Sequence, residues 1–446
     1  MSTSPAMLPS RPLPYQRPNL LDLTTLAEDV SHADEKRQEA YEASWKLQAA
    51  IAHARTALET DEGSFAEAED NLQKLLLTSV SLEADRNLRE ANLSARLEDF
   101  VRLKAFSYFL QTGRLLPPSH CQFATDEEFL AGACMGLAAD LSRYGMGRAT
   151  VRDVSSVTIA RNLVQDIMDQ LLQFDFRNGP LRRKYDGTKY SLKSLETLLY
   201  ELSVTGSSVV EQEQDAKRMR IEPLLPTDEL EALRKRMEHR DELRETLIKK
   251  CRDGQKAAKQ SIFALHRGDR NRAVQLISEC ETCITHELLP IVQEEPPLRS
   301  GSFANVLEEY CEAKLFYVWL FGKTDGNVSP TGAILSPNDF PIQLEPEEYL
   351  GGLCDLTGEV GRYAVQRGTA RDTDGVKLCL QTNGSIQSAL QTMGRLPGGI
   401  GKKTGALRQS VEKLERMLYE MSLSEATGGL NVATNSMETE RVDDES

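Results

Sequence analysis

LETLLYELS (Leu195–Ser203) and LERMLYEMS (Leu414–Ser422) are near copies of one another, separated by 219 positions. At the same separation, RYGMGRATVRD (Arg143–Asp153) matches RYAVQRGTARD (Arg362–Asp372), with Arg, Tyr, Arg, Thr, Arg and Asp in common positions. A match that keeps one offset over two separate blocks indicates that a long segment of this chain occurs twice.

A third pair of matching blocks lies upstream of these. LEDFVRLKAF (Leu97–Phe106) matches LEEYCEAKLF (Leu307–Phe316), now 210 positions apart. The change in offset falls between predicted helices, where loops tolerate insertions. The pattern therefore predicts two copies of one domain in tandem and argues against a solenoid of short repeats.

Both copies have the composition and periodicity of helices. Ala, Leu, Glu, Lys, Gln and Arg dominate, and apolar residues recur three and four positions apart, as at Leu72, Leu75 and Leu76. Long alternating runs of β-branched residues, which would indicate strands, do not occur. After the break at RNGP (Arg177–Pro180), the last helix of the first copy is predicted from about residue 191 to 203. We predict an all-α protein.

Changes in composition along the chain predict the domain boundaries. A Pro-rich start and a polar, acidic end are typical of disordered tails, and a polar stretch between the copies reads as a linker. The predicted segments are a tail (1–20), the first domain (21–206), the linker (207–226), the second domain (227–424) and an acidic tail (425–446).

Bulk composition limits the class of protein. The 446 residues are 40% hydrophobic and carry a net charge of −15, so a general nucleic-acid coat is not expected and any such site must be a local basic patch. No apolar run is long enough for a membrane span, no secretory leader is expected, and scattered cysteines predict reduced thiols. We expect a cytoplasmic protein. KRMR (Lys217–Arg220) is either a nuclear signal or solvated charge.

Four acidic residues in the second copy form two helical pairs. Glu309 and Glu312 are three apart, and Asp355 and Glu359 are four apart, so each pair shares one helix face. Two antiparallel helices of a bundle could bring the pairs together around a cation. Hard oxygen ligands favour Mg²⁺, with Mn²⁺ as the alternative ion. From spacing alone, a solvated acidic face remains the competing interpretation.

The first copy departs from this pattern. The alignment places Asp99 opposite Glu309, Arg102 opposite Glu312, Gly136 or Met135 opposite Asp355, and Asp140 opposite Glu359. An arginine where a ligand should stand predicts that this place does not bind a divalent cation. The small residues Gly351, Gly352 and Gly358 near Asp355 are expected to allow close approach of helices.

Two basic clusters are candidates for RNA contact. Arg86, Arg89 and Arg96 fall on one helical stripe, and a second cluster comprises Arg182, Arg183 and Lys184 together with Lys189, matched in the second copy by Lys402 and Lys403. The alternative for the second cluster is a solvated helix end where cations favour the helix dipole.

Two other motifs are set aside. Cys280, Cys283 and His286 resemble half of a zinc site, but no second pair completes the four ligands that zinc needs, so ordinary helix residues are expected. GGIGKKTG (Gly398–Gly405) lacks the first Gly and the final Ser or Thr of a Walker phosphate loop.

Both copies resemble the translin family, which comprises translin and translin-associated factor X (TRAX). In the first copy the resemblance is carried by GLAADLSRY (Gly136–Tyr144) and the segment Leu171–Gly206, which look like translin. In the second it is carried by LIKKCRDGQKAAKQSIFALHR (Leu247–Arg267), LEEYCEAKLF and EEYLGGLCDLTGEVGRYAV (Glu347–Val365), which look like TRAX. The resemblance implies two translin-like bundles of about seven helices each.

The resemblance also implies a function. Acids matching Glu309, Glu312 and Asp355, with Glu359 beside them, form the ribonuclease site of the TRAX subunit, and translin-family basic residues lie along the helix that holds Arg86. We therefore expect a Mg²⁺-dependent endoribonuclease acting on single-stranded or nicked RNA. The alternatives are a catalytically silent module that binds single-stranded RNA or DNA, and a helical scaffold protein. Family barrels of eight subunits imply a homo-oligomer of four chains, either alone or with a separate translin chain as a further partner.

Overall fold

The structure is a computed structural model that describes residues 21–60, 62–79, 92–177, 179–205, 223–323 and 330–439. These residues form helices and their connections, with no β-strand among them, which confirms the all-α prediction. Within the same ranges, no helix is both long enough and apolar enough to cross a membrane.

The described part of each repeat contains seven α-helical segments. A π-helical stretch, Leu130–Gly136 in the first repeat and Cys283–Leu288 in the second, joins two of them end to end, so each repeat has six continuous helices, close to the expected number of about seven. The segments of the first repeat are α1 (Thr24–Thr60), α2 (Glu62–Ser79), α3 (Ser94–Thr112), α4 (Asp126–Phe129), α5 (Leu137–Thr150), α6 (Val154–Leu171) and α7 (Pro180–Val204). Those of the second are α8 (Thr227–His266), α9 (Arg270–Thr282), α10 (Leu289–Glu294), α11 (Ser302–Phe321), α12 (Pro346–Thr369), α13 (Thr373–Thr392) and α14 (Ile400–Thr439).

The two repeats share an unusual backbone detail. Arg152 and Arg371, which are 219 positions apart, both adopt positive φ angles of 62° and 58°. Each is followed by an aspartate, Asp153 or Asp372, whose carboxylate accepts a hydrogen bond from a backbone N–H in the first turn of the next helix. Such N-caps stabilise a helix by about 1 kcal/mol. The two repeats therefore share not only sequence but also the same strained turn before the next helix.

The chain forms two compact units whose limits differ from the predicted domains. Of the described residues, one unit comprises those in 21–33 and 244–439, and the other those in 34–243, so the divisions fall within α1 and α8. In the first of these units the large side chains of Phe303, Tyr310, Phe316, Trp319 and Tyr349 are fully buried. In the unit of residues 34–243, α3, α5, α6 and α7 pack around a core that includes Val101, Leu137 and Leu163.

Two helix ends differ from the sequence-based expectation. Helix α7 begins at Pro180, eleven residues before the predicted start, because proline has no N–H to lose at the first position of a helix. Helix α14 continues to Thr439, through much of the segment that was expected to be a disordered tail from residue 425. The linker residues 207–222, the tail 1–20 and Lys217–Arg220 lie outside the described residues.

Candidate metal and nucleic-acid sites

The predicted acidic pairs lie on α11 and α12, which pack against each other. Residue numbers increase in the same direction along the two helices at their contacts. Glu308 lies opposite Gly351, and farther along Trp319 lies opposite Tyr363, with 5.3 Å between their ring centroids. The helices are therefore parallel, and the expected antiparallel arrangement is wrong. The connection from Gly322 to Glu345 is long enough to return the chain along the 20-residue helix α11, which is about 30 Å long.

Two of the three glycines allow the close approach that was expected. A Cβ atom on Gly351 would lie 2.5 Å from the Glu308 carboxyl, and one on Gly352 would lie 2.7 Å from Cβ of Cys311 and 2.9 Å from the Glu308 carbonyl oxygen. At Gly358 nothing lies within 4 Å, so that glycine does not serve the packing. At Gly352 the neighbours are a Cβ atom and a backbone oxygen, so only glycine fits there and α11 and α12 approach closely.

A lysine from a third helix lies between the acids. Lys403 on α14 donates a hydrogen bond to Asp355 Oδ2 at 2.7 Å and another to Glu308 Oε1. Burial raises the pKa of Glu308, with Lys403 acting in the opposite direction and Asp355 reinforcing it. The ammonium group supplies the positive charge that two neighbouring carboxylates require.

The other predicted acids also have cationic or donor partners. Lys259 on α8 forms an ion pair with Glu309 at 2.9 Å, and the hydrogen bond to Glu309 raises the pKa of Lys259. Nε2 of His266 lies 2.5 Å from Glu359 Oε2, and Arg362 lies 3.2 Å from the same oxygen. The His266 side chain is 7% exposed, so the contact that it makes with Glu359 lies on the buried side of that carboxylate.

Glu312 is the acid without such a partner among the described residues. It is 8% exposed, and burial, reinforced by the charges of Asp355, Glu359 and Glu309, raises its pKa to about 8. The three other predicted acids therefore lie within electrostatic range of this buried carboxyl. A carboxyl in this position is protonated near neutral pH unless a cation joins it.

The arrangement of these side chains fits a metal in its chemistry but is not a preformed metal site. Four carboxylates supply the hard oxygen atoms that Mg²⁺ prefers, and the raised pKa of Glu312 reflects charge repulsion that a cation would relieve. Within the described ranges, however, no three His, Cys, Asp or Glu side chains are grouped closely enough to hold a metal ion. Lys403 and Lys259 neutralise the acids in the arrangement seen here.

The corresponding place in the first repeat is occupied by an arginine, as predicted. Arg102 on α3 donates from Nε and Nη2 to the two carboxylate oxygens of Asp140, each at 2.6 Å. Its Cδ would lie 2.8 Å from a Cβ on Gly136, so Gly136 faces Arg102 in the way that Asp355 neighbours Glu312. Burial acts to lower the pKa of Arg102, but the hydrogen bonds and charge of Asp140 outweigh it and raise the pKa.

The predicted basic residues are only partly described. Arg86 and Arg89 lie outside the described residues. Arg96 forms an ion pair with Asp99 at 3.1 Å, so an acid on the same helix, α3, partly neutralises its charge.

The second basic cluster lies in the first turns of α7. Arg182 pairs with Asp186 at 3.4 Å and lies over the Tyr185 ring, Lys184 pairs with Glu98, and Arg183 is exposed. Cations at a helix N-terminus oppose the helix dipole, so the favourable-dipole alternative for this cluster is wrong.

Sequence reasoning missed several residues of the acidic site. Lys259 and His266 on α8 and Lys403 on α14 contact three of the four predicted acids, and no local spacing relates these residues to them. Glu308 shares Lys403 with Asp355. Glu308 could have been noticed, since it directly precedes Glu309 in the matched block. The cysteines of the half-zinc motif are buried free thiols, and burial raises the pKa of Cys280 to about 12, which agrees with ordinary helix residues.

Both repeats are similar in sequence to known proteins. A sequence model of the translin family matches residues 38–206 and again residues 242–425. The translin-associated protein X homolog of Schizosaccharomyces pombe is 27% identical over 199 residues, covering 41% of this chain and 82% of that protein. Human translin is 29% identical over 123 residues, covering 25% of this chain and 54% of translin; the chain thus spans about half the length of the translin it matches.

Two solved structures are similar to about half of this chain. The apo-NeC3PO crystal structure is similar with a TM-score of 0.39 and 18% identity, covering 45% of this chain and 100% of that one. The AfC3PO–duplex RNA complex is similar with a TM-score of 0.37 and 22% identity, covering 44% and 97%. Because the sequence model of the translin family matches both repeats and together covers most of the chain, this protein belongs to the translin family.

Proposed function

We propose that this chain is a metal-dependent endoribonuclease that cleaves single-stranded or nicked RNA, with catalysis confined to the second repeat. The observation that carries the proposal is the environment of Glu312, a buried carboxyl whose pKa is raised to about 8 by burial and three neighbouring acids. An acid with no donor partner in such a place is costly unless it serves a cation. The first repeat has Arg102 there instead.

Glu309, Glu312 and Asp355, with Glu359 beside them, are the residues that would hold Mg²⁺. When bound, the ion would position a phosphate, activate a water and offset charge on the leaving oxygen. For this to happen, Glu312 has to release its proton and Asp355 has to exchange part of its contact with Lys403. Lys403 then remains close enough to neutralise Glu308 and to attract the phosphate backbone.

His266 has a positioning role in this proposal. Its Nε2 holds Glu359 from one side while its ring lies 4.8 Å from that of Phe316, so the Glu359 side chain is fixed on the buried face of α12. Supporting contacts of this kind set the orientation of carboxylates that serve a metal.

The test is cleavage of a labelled single-stranded RNA by the full chain with and without Mg²⁺. Glu312→Gln and Asp355→Asn should each abolish cleavage while leaving RNA binding intact, because fewer carboxylates remain to hold the ion. Asp99→Asn is the matched control in the first repeat and should cleave normally. Mg²⁺-independent cleavage, or full activity in Glu312→Gln, would contradict the proposal.

A catalytically silent module that binds single-stranded RNA or DNA is the second candidate. It is favoured by the pairing of Glu309 with Lys259 and of Asp355 with Lys403, which leaves the acids neutralised without a metal. Salt-sensitive RNA binding with no cleavage at any Mg²⁺ or Mn²⁺ concentration would establish this alternative.

We further propose that four chains assemble into a closed oligomer of eight translin-like domains. The family matches, 38–206 and 242–425, each cover most of one repeat of this chain, so one chain would provide two subunits of different type. Native mass spectrometry should give four chains, and any additional mass equal to a separate translin would reveal a mixed assembly. A monomer at micromolar concentration would contradict this proposal.

A further inference from the structure

Three arginines surround a single buried carboxylate in the unit of residues 34–243. Asp140 is 5% exposed and accepts two hydrogen bonds of 2.6 Å from Arg102. Arg143 donates to the same carboxylate, and Arg55 lies 3.6 Å from Asp140 Oδ1. With one negative and three positive charges, the cluster carries a net charge of two positive.

This excess of charge is more than the buried aspartate needs. A bidentate arginine already satisfies a carboxylate, and further guanidinium groups at the same place repel one another. Each guanidinium has five N–H donors, so the cluster has many more donors than Asp140 can accept. The side chains of Arg55 and Arg143 are 31% and 69% exposed, which leaves donors directed to solvent where an anion could accept them.

These arginines line an open cavity of about 580 Å³. The cavity is also lined by Ser142, Ser191 and Tyr190, so hydroxyl donors lie beside the guanidinium groups. Tyr190 is 67% exposed, and the Lys189 ammonium lies 5.1 Å from its ring centroid.

The equivalent place in the second repeat has a different balance of charge, although Arg362 matches Arg143 and pairs with Glu359. Arg55 and His266 each lie near the end of a long helix and contact matching acids, Asp140 and Glu359. Arg102 stands where Glu312 stands. The first repeat therefore has three arginines around one acid at this position, whereas the second has several carboxylates together with their cationic partners.

We propose that the arginine-lined cavity binds a phosphate group of single-stranded RNA, with a base of that strand stacked on Tyr190. Guanidinium groups suit the geometry of phosphate oxygens, and a basic groove with an exposed aromatic ring is the usual means of holding single strands. The aromatic ring favours a nucleic acid over an acidic polypeptide. The inference rests on the proposed function only in taking RNA as the ligand.

The experiment measures binding of a fluorescent single-stranded RNA to the full chain at several KCl concentrations. Arg143→Gln should reduce the slope of log affinity against log salt by about 0.7, the value of one phosphate contact on a single strand. Tyr190→Ala should weaken binding by about tenfold with little change in this slope.

Two variants outside the cavity serve as controls. Arg148→Gln removes an exposed arginine from the same helix, α5, and Tyr200→Ala removes an exposed tyrosine from the same helix, α7. Both should bind RNA nearly as the unchanged chain does.

Each result separates this inference from the nuclease proposal. If Arg143→Gln and Tyr190→Ala bind RNA no differently from their controls while cleavage is normal, the inference is overturned and the nuclease proposal stands. If the cavity variants lose binding as expected but the unchanged chain never cleaves RNA, the nuclease proposal is overturned and the inference stands. Displacement of the RNA by polyglutamate, but not by inorganic phosphate, would also overturn the inference.

Discussion

Replacing Glu312 with glutamine should stabilise the metal-free protein at alkaline pH. Burial, together with the charges of three neighbouring acids, raises the pKa of Glu312 from 4.5 to about 8. Each pH unit of difference between the folded and unfolded pKa corresponds to about 1.4 kcal/mol. Deprotonation of this side chain in the folded protein therefore costs about 5 kcal/mol above pH 8, as an order of magnitude.

The direction of the pH dependence follows from the raised pKa. Between about pH 4.5 and pH 8, the folded state holds a proton at Glu312 that the unfolded state has released, so the free energy of unfolding falls as pH rises. The contribution of the protonated side chain is complete below pH 4.5 and lost above pH 8. Glu312→Gln removes the titrating group, and its advantage over the unchanged chain should grow through this window.

Tryptophan fluorescence can follow the relevant unit alone. The chain has two tryptophans: Trp319 is fully buried in the unit that holds Glu312, and Trp45 is 60% exposed in the other. In a Trp45→Phe background with EDTA, urea unfolding at pH 6, 7, 8 and 9 then reports on Trp319. Glu412→Gln, at an exposed residue of α14, is the matched control.

The reasoning would be refuted by free energies of unfolding of Glu312→Gln and the unchanged chain that run parallel from pH 6 to pH 9. A second arm uses Mg²⁺ at pH 8, where ligand binding to the folded state adds stability. The unchanged chain should gain stability there, whereas Glu312→Gln should gain much less, because the ion requires the deprotonated carboxyl.

Two further predictions concern packing in the two repeats. In urea unfolding, Gly352→Ala should destabilise the protein by about 1–3 kcal/mol, because its Cβ would lie 2.7 Å from Cβ of Cys311. Gly358→Ala has open space around it and should be neutral or slightly stabilising. Equal effects of the two substitutions would contradict the close approach of the helices at Gly352. Arg102→Met should destabilise the unit of residues 34–243 by about 1–3 kcal/mol, since Asp140 loses its bidentate partner but keeps two other arginines, and an unchanged thermal midpoint would show that this pair adds no stability.

The sequence alone determined whatever depends on neighbours along one helix. The period of 3.6 residues places Glu309 beside Glu312 and Asp355 beside Glu359 wherever those helices lie, and the repeat at a fixed offset revealed two copies of one fold. The departure at Arg102 was visible in the same alignment. These predictions held because each rests on local geometry or on the comparison of one half of the chain with the other.

Only the tertiary structure decided which distant residues meet. Lys403 is separated from Asp355 by 48 positions and His266 from Glu359 by 93, and no local period relates residues so far apart. The parallel packing of α11 and α12 also depended on the route of a long connection. The burial that raises the pKa of Glu312 is a property of the whole packed unit, because desolvation is set by every helix that surrounds a side chain and not by its own helix alone.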